Sequence, residues 1–306
     1  MVLKTIAVTG ASGMLGRHVV AALGLAGFNV VSFSRAAGDS ESWRRWDLME
    51  WKTDGELDEL FVSVDAVIHA GATVPNAQSL CDDDKLFDAN VRATFNLANW
   101  ARKRGLPLVY VSGAIVYANS DDRDVREDAP LGLSGFGGFY GLTKLLAEDI
   151  LRREKDAGLR LAIIRPSSIY GHGLSVEKLI CSFLNRASEG EVIELSEPVA
   201  DRVDLIHAAD VADAVVKVLQ NDAWDTFNLA SGCDISIIDL AKTCISVVGK
   251  GCISVKKNQK VSRPPIRRFD LNCRSAEMRL GWSAQVSHAV GVRAVFEQKV
   301  IVVGQV

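Results

Sequence analysis

Two hydrophobic periodicities alternate along the first half of the chain. Short runs rich in β-branched residues, typical of buried parallel strands, occur at Thr5–Thr9, Asn29–Phe33, Ala66–His69, Leu108–Ser112 and Leu161–Arg165. Between them, apolar residues recur at the spacing of an amphipathic helix over Gly13–Leu25, Asp84–Arg104 and Tyr140–Ala157. This alternation predicts an α/β fold with a doubly wound parallel Rossmann sheet.

The alternation weakens after Pro166. We predict one helix at Val176–Glu189 with loops at 171–173 and Glu189–Asp201. Rossmann character returns with a strand and helix over Arg202–Val218 and a strand at Thr226–Ala230. The predicted domains are therefore a dinucleotide-binding domain of residues 1–166 plus about 203–231, and a smaller C-terminal substrate-binding lobe of residues 167–202 and 232–306.

Composition excludes several classes of protein. Hydrophobic residues make up 48% and charged residues 24%, which excludes disordered, collagen-like and coiled-coil chains. Lys and Arg number 35 against 38 Asp and Glu, so the basic footprint of a nucleic-acid binder is missing. The apolar run in Met1–Gly10 is too short for a signal sequence, and none reaches the roughly 18 residues of a spanning helix. We expect a cytoplasmic protein with no nucleic-acid or membrane partner.

The six cysteines are scattered, without a C-x-x-C pair or a histidine placed to complete a zinc site. We expect buried reduced thiols and no metal.

A glycine-rich turn follows the first predicted strand and opens the first helix. Glycine allows the tight turn and the close approach of a pyrophosphate, whose charge the helix N-terminus meets. In this context the pattern predicts dinucleotide binding, with cofactor contacts from Gly10, Ser12, Gly13, Met14, Leu15 and Gly16.

The second strand ends in Ser34-Arg35, about 20 residues further on, where NAD-binding chains place an acidic residue for the ribose 2′-hydroxyl. An arginine and a hydroxyl can hold a 2′-phosphate, which an acid would repel. NADP(H) is therefore favoured, with NAD(H) as the alternative; an Arg35 that merely points into solvent is the competing interpretation.

Tyr140 and Lys144 lie four residues apart, on one face of a predicted helix. An ammonium there would lower the pKa of the tyrosine from its usual value near 10. Such a tyrosine can exchange a proton with a hydroxyl or carbonyl while a nicotinamide exchanges hydride.

With these residues the sequence resembles the extended short-chain dehydrogenase/reductase family, in particular its nucleotide-sugar epimerases, dehydratases and 4-ketoreductases. The resemblance covers nearly the whole chain and includes the segments Asp47-Leu48, Val67–Ala72, Asn90-Val91, Val111–Tyr117, Arg165–Gly171, Arg202–His207, Asp210–Ala214, Phe227–Gly232 and Leu280–Trp282. It implies further cofactor contacts from Asp47, Leu48, Ala70, Gly71, Ala72, Asn90, Tyr140, Lys144 and Pro166. For His69 and His207 we expect a core or supporting role.

The sequence departs from the family pattern at Gly113, where the family usually has a catalytic Ser or Thr. Losing one hydrogen-bond donor at a reacting oxygen costs a few kcal/mol of barrier. Ser112, a water or a substrate hydroxyl would have to replace that donor, with Ser112 on the opposite side of a regular strand unless the strand end bends.

A second departure lies at the two positions where the family's dehydratases have an acidic pair. Ala114 and Ile115 occupy these positions here. Dehydration is therefore disfavoured. Ile115 also takes the Cys position of epimerases that invert carbons next to the ketone, and His172 lies one residue early for their His. His172 is thus expected to be structural or to contact the ligand.

For the substrate, Arg202 matches a family arginine that meets the ligand diphosphate. Arg263 or Arg267, in the basic segment Lys256–Phe269, could do the same, because the arginine fork suits phosphate oxygens. The predicted substrate contacts are Gly113, Ser168, His172, Arg202, Arg263 and Arg267.

The resulting hypothesis is an NADP(H)-dependent oxidoreductase that reduces the 4-keto group of a nucleotide-diphosphate sugar, with Tyr140 as proton donor and Lys144 holding the ribose. The alternatives are a nucleotide-sugar 4-epimerase that retains its cofactor and a cofactor-binding regulatory subunit without turnover. A homodimer is expected through the helices at Asp84–Arg104 and Tyr140–Ala157, with Leu86, Phe95, Leu97 and Trp100 supplying apolar surface.

Overall fold

The computed structural model describes residues 4–36, 42–75, 82–119, 121–133, 137–257 and 266–305. Its strands are β1 (Thr5–Thr9), β2 (Asn29–Ser34), β3 (Trp43–Arg45), β4 (Ala66–His69), β5 (Leu108–Val111), β6 (Leu161–Pro166), β7 (Ser168–Tyr170), β8 (Val192–Ser196), β9 (Arg202–Val203), β10 (Leu205–His207), β11 (Thr226–Leu229), β12 (Ile235–Ser236), β13 (Cys252–Lys256) and β14 (Arg267–Arg268).

The α-helices are α1 (Met14–Leu25), α2 (Asp54–Leu60), α3 (Asp83–Phe87), α4 (Ala93–Lys103), α5 (Gly138–Asp156), α6 (Leu179–Glu189), α7 (Ala208–Gln220), α8 (Ile237–Val248), α9 (Arg274–Leu280) and α10 (His288–Phe296). A π-helical segment at Asp88–Arg92 joins α3 to α4, and a 3₁₀ turn at Ala114–Val116 follows β5. None of the helices in the described ranges combines the length and apolar composition needed to span a membrane.

A seven-stranded parallel sheet forms the centre of the fold, in the order β11-β6-β5-β4-β1-β2-β3. The strand order reverses between β1 and β4. In open α/β sheets ligands bind outside the carboxyl ends of the strands at such a switch point. The predicted Rossmann fold is confirmed.

Apolar layers cover both faces of this sheet. On one face Val8 and Ile68 pack with α1 and α7, and on the other Tyr110 and Leu161 pack with α4 and α5. Strand alternation therefore assigns successive residues of β5 to different layers. A separate core, which includes Phe183, unites α6, α8 and α10.

Three features of the secondary structure differ from prediction. The short edge strand β3 has no β-branched residue and was not expected, and β8 lies where a loop was predicted. The strand in Arg202–Val218 does not join the main sheet: β10 pairs with β7, while α7 still packs on α1. Local pattern gives an extended segment but not its pairing partner.

Most of the apolar side chains that were expected to form a dimer surface on the helix at Asp84–Arg104 lie in the core. Leu86, Leu97 and Trp100 are 2% exposed or less, and only Phe95, at 40%, faces outward. Trp100 packs on Phe61 with ring centroids 4.9 Å apart. Leu97 and Trp100 therefore belong to the apolar layer that covers the sheet. The predicted helix is also interrupted by the π-helical segment, a feature often found at functional sites.

Candidate active site

The glycine turn after β1 has the geometry of a phosphate cradle. Gly10 has a φ of +68°, and a Cβ there would lie 2.5 Å from the Cα of Gly71 in the loop after β4. A Cβ at Gly16 would lie 2.0 Å from the carbonyl oxygen of Gly10. Gly13 is the N-cap of α1 and supplies no side-chain cap, so the first backbone N–H groups of the helix suit an anion. These residues fit a dinucleotide cofactor.

The remaining turn residues lie beside this cradle. Ser12 is exposed, Met14 is partly exposed and Leu15 is buried in the core below. The Ser12 carbonyl accepts a 2.8 Å bond from Nε of Arg17, a residue that the sequence analysis did not single out. Arg17 also contacts Nε2 of His172 at 3.2 Å. Arg17 therefore links His172 to the glycine turn.

The residues that the resemblance assigns to the adenine end come from two neighbouring loops. Leu48 Cδ1 lies 2.8 Å from the position a Cβ on Gly71 would take, which brings the loops after β3 and β4 together. The Asp47 carboxylate accepts the backbone N–H of Met49 at 3.1 Å. Ala70 and Ala72, the neighbours of Gly71, lie in the same loop, where Ala70 is partly exposed.

The two groups predicted for a 2′-phosphate differ in exposure and hydrogen bonding. Arg35 is exposed just beyond β2. The buried hydroxyl of Ser34 donates to the carbonyl of Ala36, so its single proton stabilises the turn. Asp39, the nearest acid in sequence, lies outside the described residues.

Tyr140 and Lys144 lie one turn apart on α5, as predicted, but their side chains interact differently. The Lys144 ammonium donates to the carbonyl of Val111 at 2.9 Å and to the hydroxyl of Tyr110 at 3.3 Å. Burial lowers the pKa of Lys144 to about 8, against the raising effect of Glu148. Burial raises the pKa of Tyr140 to about 12. The expectation that Lys144 lowers the pKa of Tyr140 is therefore wrong in this structure.

The end of β5 contains the departure from the family pattern. The backbone N–H of Ser112 still donates to Ile164 in the neighbouring strand at 2.8 Å, so Ser112 continues the series of Leu108 and Tyr110 on the α5 side of the sheet. Its Oγ is buried, and no hydrogen-bond partner for it is found in the described part of the chain. Ser112 thus offers a hydroxyl on the side of Lys144.

Gly113 is fully extended, with φ −179° and ψ 160°. Among the described residues, a Cβ there would meet only Ile115 Cγ2 at 3.8 Å and the carbonyl oxygen of Pro166 at 4.0 Å, which are ordinary contacts. The backbone therefore accepts a Ser or Thr at this position.

Three predicted substrate residues lie on short strands outside the main sheet. Ser168 is partly exposed in β7. Arg202 donates through Nε to the Asp234 carboxylate at 2.7 Å, yet its side chain is 40% exposed. Arg267 pairs with Arg202 in the β14–β9 ladder, and Arg263 lies outside the described residues.

A buried ion pair beneath α5 was missed by the sequence analysis. Arg165 donates to Glu148 at 2.7 Å and to the hydroxyl of Tyr117 at 3.0 Å, and that hydroxyl donates to Asn228 at 2.6 Å. The sequence feature that could have indicated this pair is Glu148, a carboxylate four residues after Lys144 and therefore on the same face of the helix. Within the described ranges no cluster of three or more His, Cys, Asp or Glu side chains is placed to hold a metal ion.

Known proteins resemble this chain along most of its length. Residues 6–230 match the model of the NAD dependent epimerase/dehydratase family. The chain is 29% identical over 267 residues to a dTDP-4-dehydro-6-deoxy-D-allose reductase of Streptomyces sp, covering 81% of this chain and 82% of the relative. It is 28% identical over 282 residues to the UDP-glucose 4-epimerase of Bacillus subtilis, covering 80% and 82%.

Among solved structures, MoeE5 in complex with UDP-glucose and NAD superposes with a TM-score of 0.80 at 23% identity, covering 96% of this chain and 98% of that one. That likeness confirms the fold. Because the family model matches well over half of the chain, the protein belongs to the NAD dependent epimerase/dehydratase family.

Proposed function

We propose that this protein is an NADP(H)-dependent reductase of a nucleotide-diphosphate sugar, acting on a 4-keto group. The observation that carries the proposal is the placement of Tyr140 one turn before the buried Lys144, whose ammonium donates to the carbonyl of Val111 at the end of β5, directly before Ser112 and Gly113. A phenol that stays protonated at neutral pH suits the donation of a proton to a carbonyl oxygen.

When bound, NADP(H) would supply hydride to the sugar carbon. Gly10, Gly13 and Gly16 would hold its phosphates, Leu48 and Gly71 would line its adenine end, and Arg35 would meet the 2′-phosphate. Asn90 keeps the loop after β4 in place, since its amide bonds both the N–H and the carbonyl of Thr73 at 2.7 and 2.9 Å.

On the substrate, the phenol of Tyr140 protonates the oxygen while Ser112, a water beside Gly113 or a substrate hydroxyl supplies the second hydrogen bond. Dehydration is disfavoured, because Ala114 and Ile115 cannot ionise, and Ile115 packs against Gly137 and Gly141. Arg202, which donates to the Asp234 carboxylate and is partly exposed, would contribute its guanidinium to the diphosphate.

A reductase and a 4-epimerase make different use of the cofactor. A reductase oxidises one added NADPH for each sugar, whereas an epimerase retains its cofactor and interconverts sugars without consuming added NADPH. Arg35 favours the reductase. The curated relatives include proteins named for each activity, so the cofactor balance decides between them.

The test is NADPH oxidation with a panel of 4-keto nucleotide sugars. Wild type is expected to turn over at least one of them. Tyr140→Phe should abolish turnover while NADPH affinity changes less than about twofold, because only the phenolic proton is lost. Sugar interconversion without NADPH oxidation would favour the epimerase. Bound cofactor without any turnover, in wild type and in Gly113→Ser, would favour the regulatory subunit that Gly113 suggests.

A further inference from the structure

A chain of hydrogen bonds, made by buried polar side chains and the backbone carbonyl of Asn90, crosses the Rossmann domain from β1 to the first turns of α5. Its members come from five elements of the fold, and each is at most 1% exposed: Thr9, His69, Asn90, Thr94 and Thr143. One end lies at Gly71, in the cofactor cradle. The other end lies at the backbone carbonyl of Tyr140.

The direction of each bond near Tyr140 follows from the donors available. The Thr143 hydroxyl gives its one proton to the Tyr140 carbonyl at 2.8 Å, so it must accept from the Asn90 amide at 3.1 Å. The Thr94 hydroxyl gives its proton to the backbone carbonyl of Asn90 at 2.7 Å, so it must accept from Nε2 of His69 at 3.0 Å. His69 therefore carries a proton on Nε2.

The available donors also determine the direction of the hydrogen bonds at the cofactor end. The Thr9 hydroxyl accepts the N–H of Gly71 at 3.2 Å and lies 2.7 Å from Nδ1 of His69. Because a neutral ring with its proton on Nε2 leaves Nδ1 unprotonated, Nδ1 accepts the proton of the Thr9 hydroxyl. Burial, followed by the charge of Lys144, lowers the pKa of His69 to about 3 and keeps the ring neutral.

We infer that His69 is a positioning residue: in its neutral Nε2–H form it joins the Gly71 end of the cofactor cradle to the backbone of Tyr140. The inference rests on the proposed function, which assigns roles to these two ends. Because the chain of bonds reaches the carbonyl of Tyr140 and not its phenol, it transmits orientation and does not carry protons. Hydride and proton transfer require the cofactor and the phenol at a fixed separation, and small misplacements are costly to the rate.

Breaking a link leaves a buried group unpaired, which favours one arrangement of all members. The two ends should nevertheless give different kinetic signatures. Thr143→Val should lower kcat about tenfold with little change in substrate KM or NADPH dissociation constant. Thr9→Val should instead weaken NADPH binding about tenfold, with a smaller effect on kcat.

His69→Leu, which removes both bonds of the ring, should show both losses. Thr143→Ser and Thr9→Ser, which keep the hydroxyls, should restore the wild-type values. Thr243→Val is the matched control, since Thr243 makes a similar bond to a helix carbonyl, Asp239, at 2.9 Å in α8. If Val and Ser variants lose stability, kcat and affinity alike, the chain of bonds is only structural and the inference is overturned.

The tautomer provides a test that needs no turnover. Nitrogen NMR of the purified holo protein should show His69 neutral, with the proton on Nε2, from about pH 5 to pH 8, and Thr143→Val should shift the His69 signals. A proton on Nδ1, an imidazolium, or unshifted signals in Thr143→Val would refute the positioning role even in an active enzyme. Failure of wild type to reduce any 4-keto sugar would instead refute the proposed function, and the NMR result would still decide whether the coupling exists.

Discussion

The ammonium of Lys144 donates a 2.9 Å hydrogen bond to the carbonyl of Val111, and this bond ties α5, the helix that also carries Tyr140, to the end of β5. Ser112 and Gly113 follow directly after that strand end. Lys144 thus lies between the helix that carries the proposed proton donor and the strand end where the family hydroxyl is missing.

The rate should increase when that hydroxyl is restored. Gly113 has room for a side chain, so Gly113→Ser or Gly113→Thr is expected to raise kcat by about tenfold, equivalent to roughly 1.4 kcal/mol of barrier. Ser112→Ala should lower kcat if Ser112 serves as the substitute donor. Gly55→Ser, on the exposed face of α2 with open space around it, is the control for the substitution itself. An unchanged or lower kcat in a folded Gly113→Ser protein would contradict this prediction.

Activity should depend on the charge of Lys144. Burial lowers its pKa to about 8, so the ammonium predominates below that pH and the neutral amine above it. If the charge orients the cofactor ribose, kcat/KM falls as pH rises through about 8. Tyr140, with a pKa of about 12, remains protonated over the same range. A pH profile of wild type and Lys144→Met measures this, and an inflection that survives in Lys144→Met would assign it to another group.

Cofactor choice should respond to Arg35. Arg35→Asp replaces a charge-assisted phosphate contact with repulsion, so NADPH affinity should fall far more than NADH affinity. Titration by cofactor fluorescence gives both dissociation constants. Arg153→Asp, whose parent side chain is 81% exposed on α5, controls for the change in net charge. Equal losses for the two cofactors would show that Arg35 does not contact the 2′-phosphate.

We expect a homodimer formed by the helices that contain Phe95 and Leu146. These side chains are 40% and 37% exposed, and Phe87, at the end of α3, is 42% exposed. Phe95→Asp should convert a dimer into monomers in sedimentation experiments at micromolar concentration. Met278→Asp, at a site 72% exposed on α9, should leave the association unchanged. A wild-type protein that sediments only as a monomer would rule out this assembly.

Much of the fold and part of the site follow from the sequence because they depend on local spacing. β1 and β4 have the predicted bounds, since β-branched runs next to glycine have few other conformations. The glycine turn opens α1, and Tyr140 and Lys144 share α5, for the same reason. The family resemblance noted in the sequence rests on these short-range patterns taken in order.

The tertiary structure alone decided which partner each polar side chain found. Lys144 turned to Val111 in β5 and Ser34 to Ala36, while Trp100 entered the core instead of a surface stripe. Likewise, the chain of hydrogen bonds through His69 joins residues up to 62 positions apart in sequence. No local pattern encodes such contacts, because they exist only after parallel strands and their crossover helices bring distant segments together, and a buried polar group then bonds whatever donor or acceptor lies within reach.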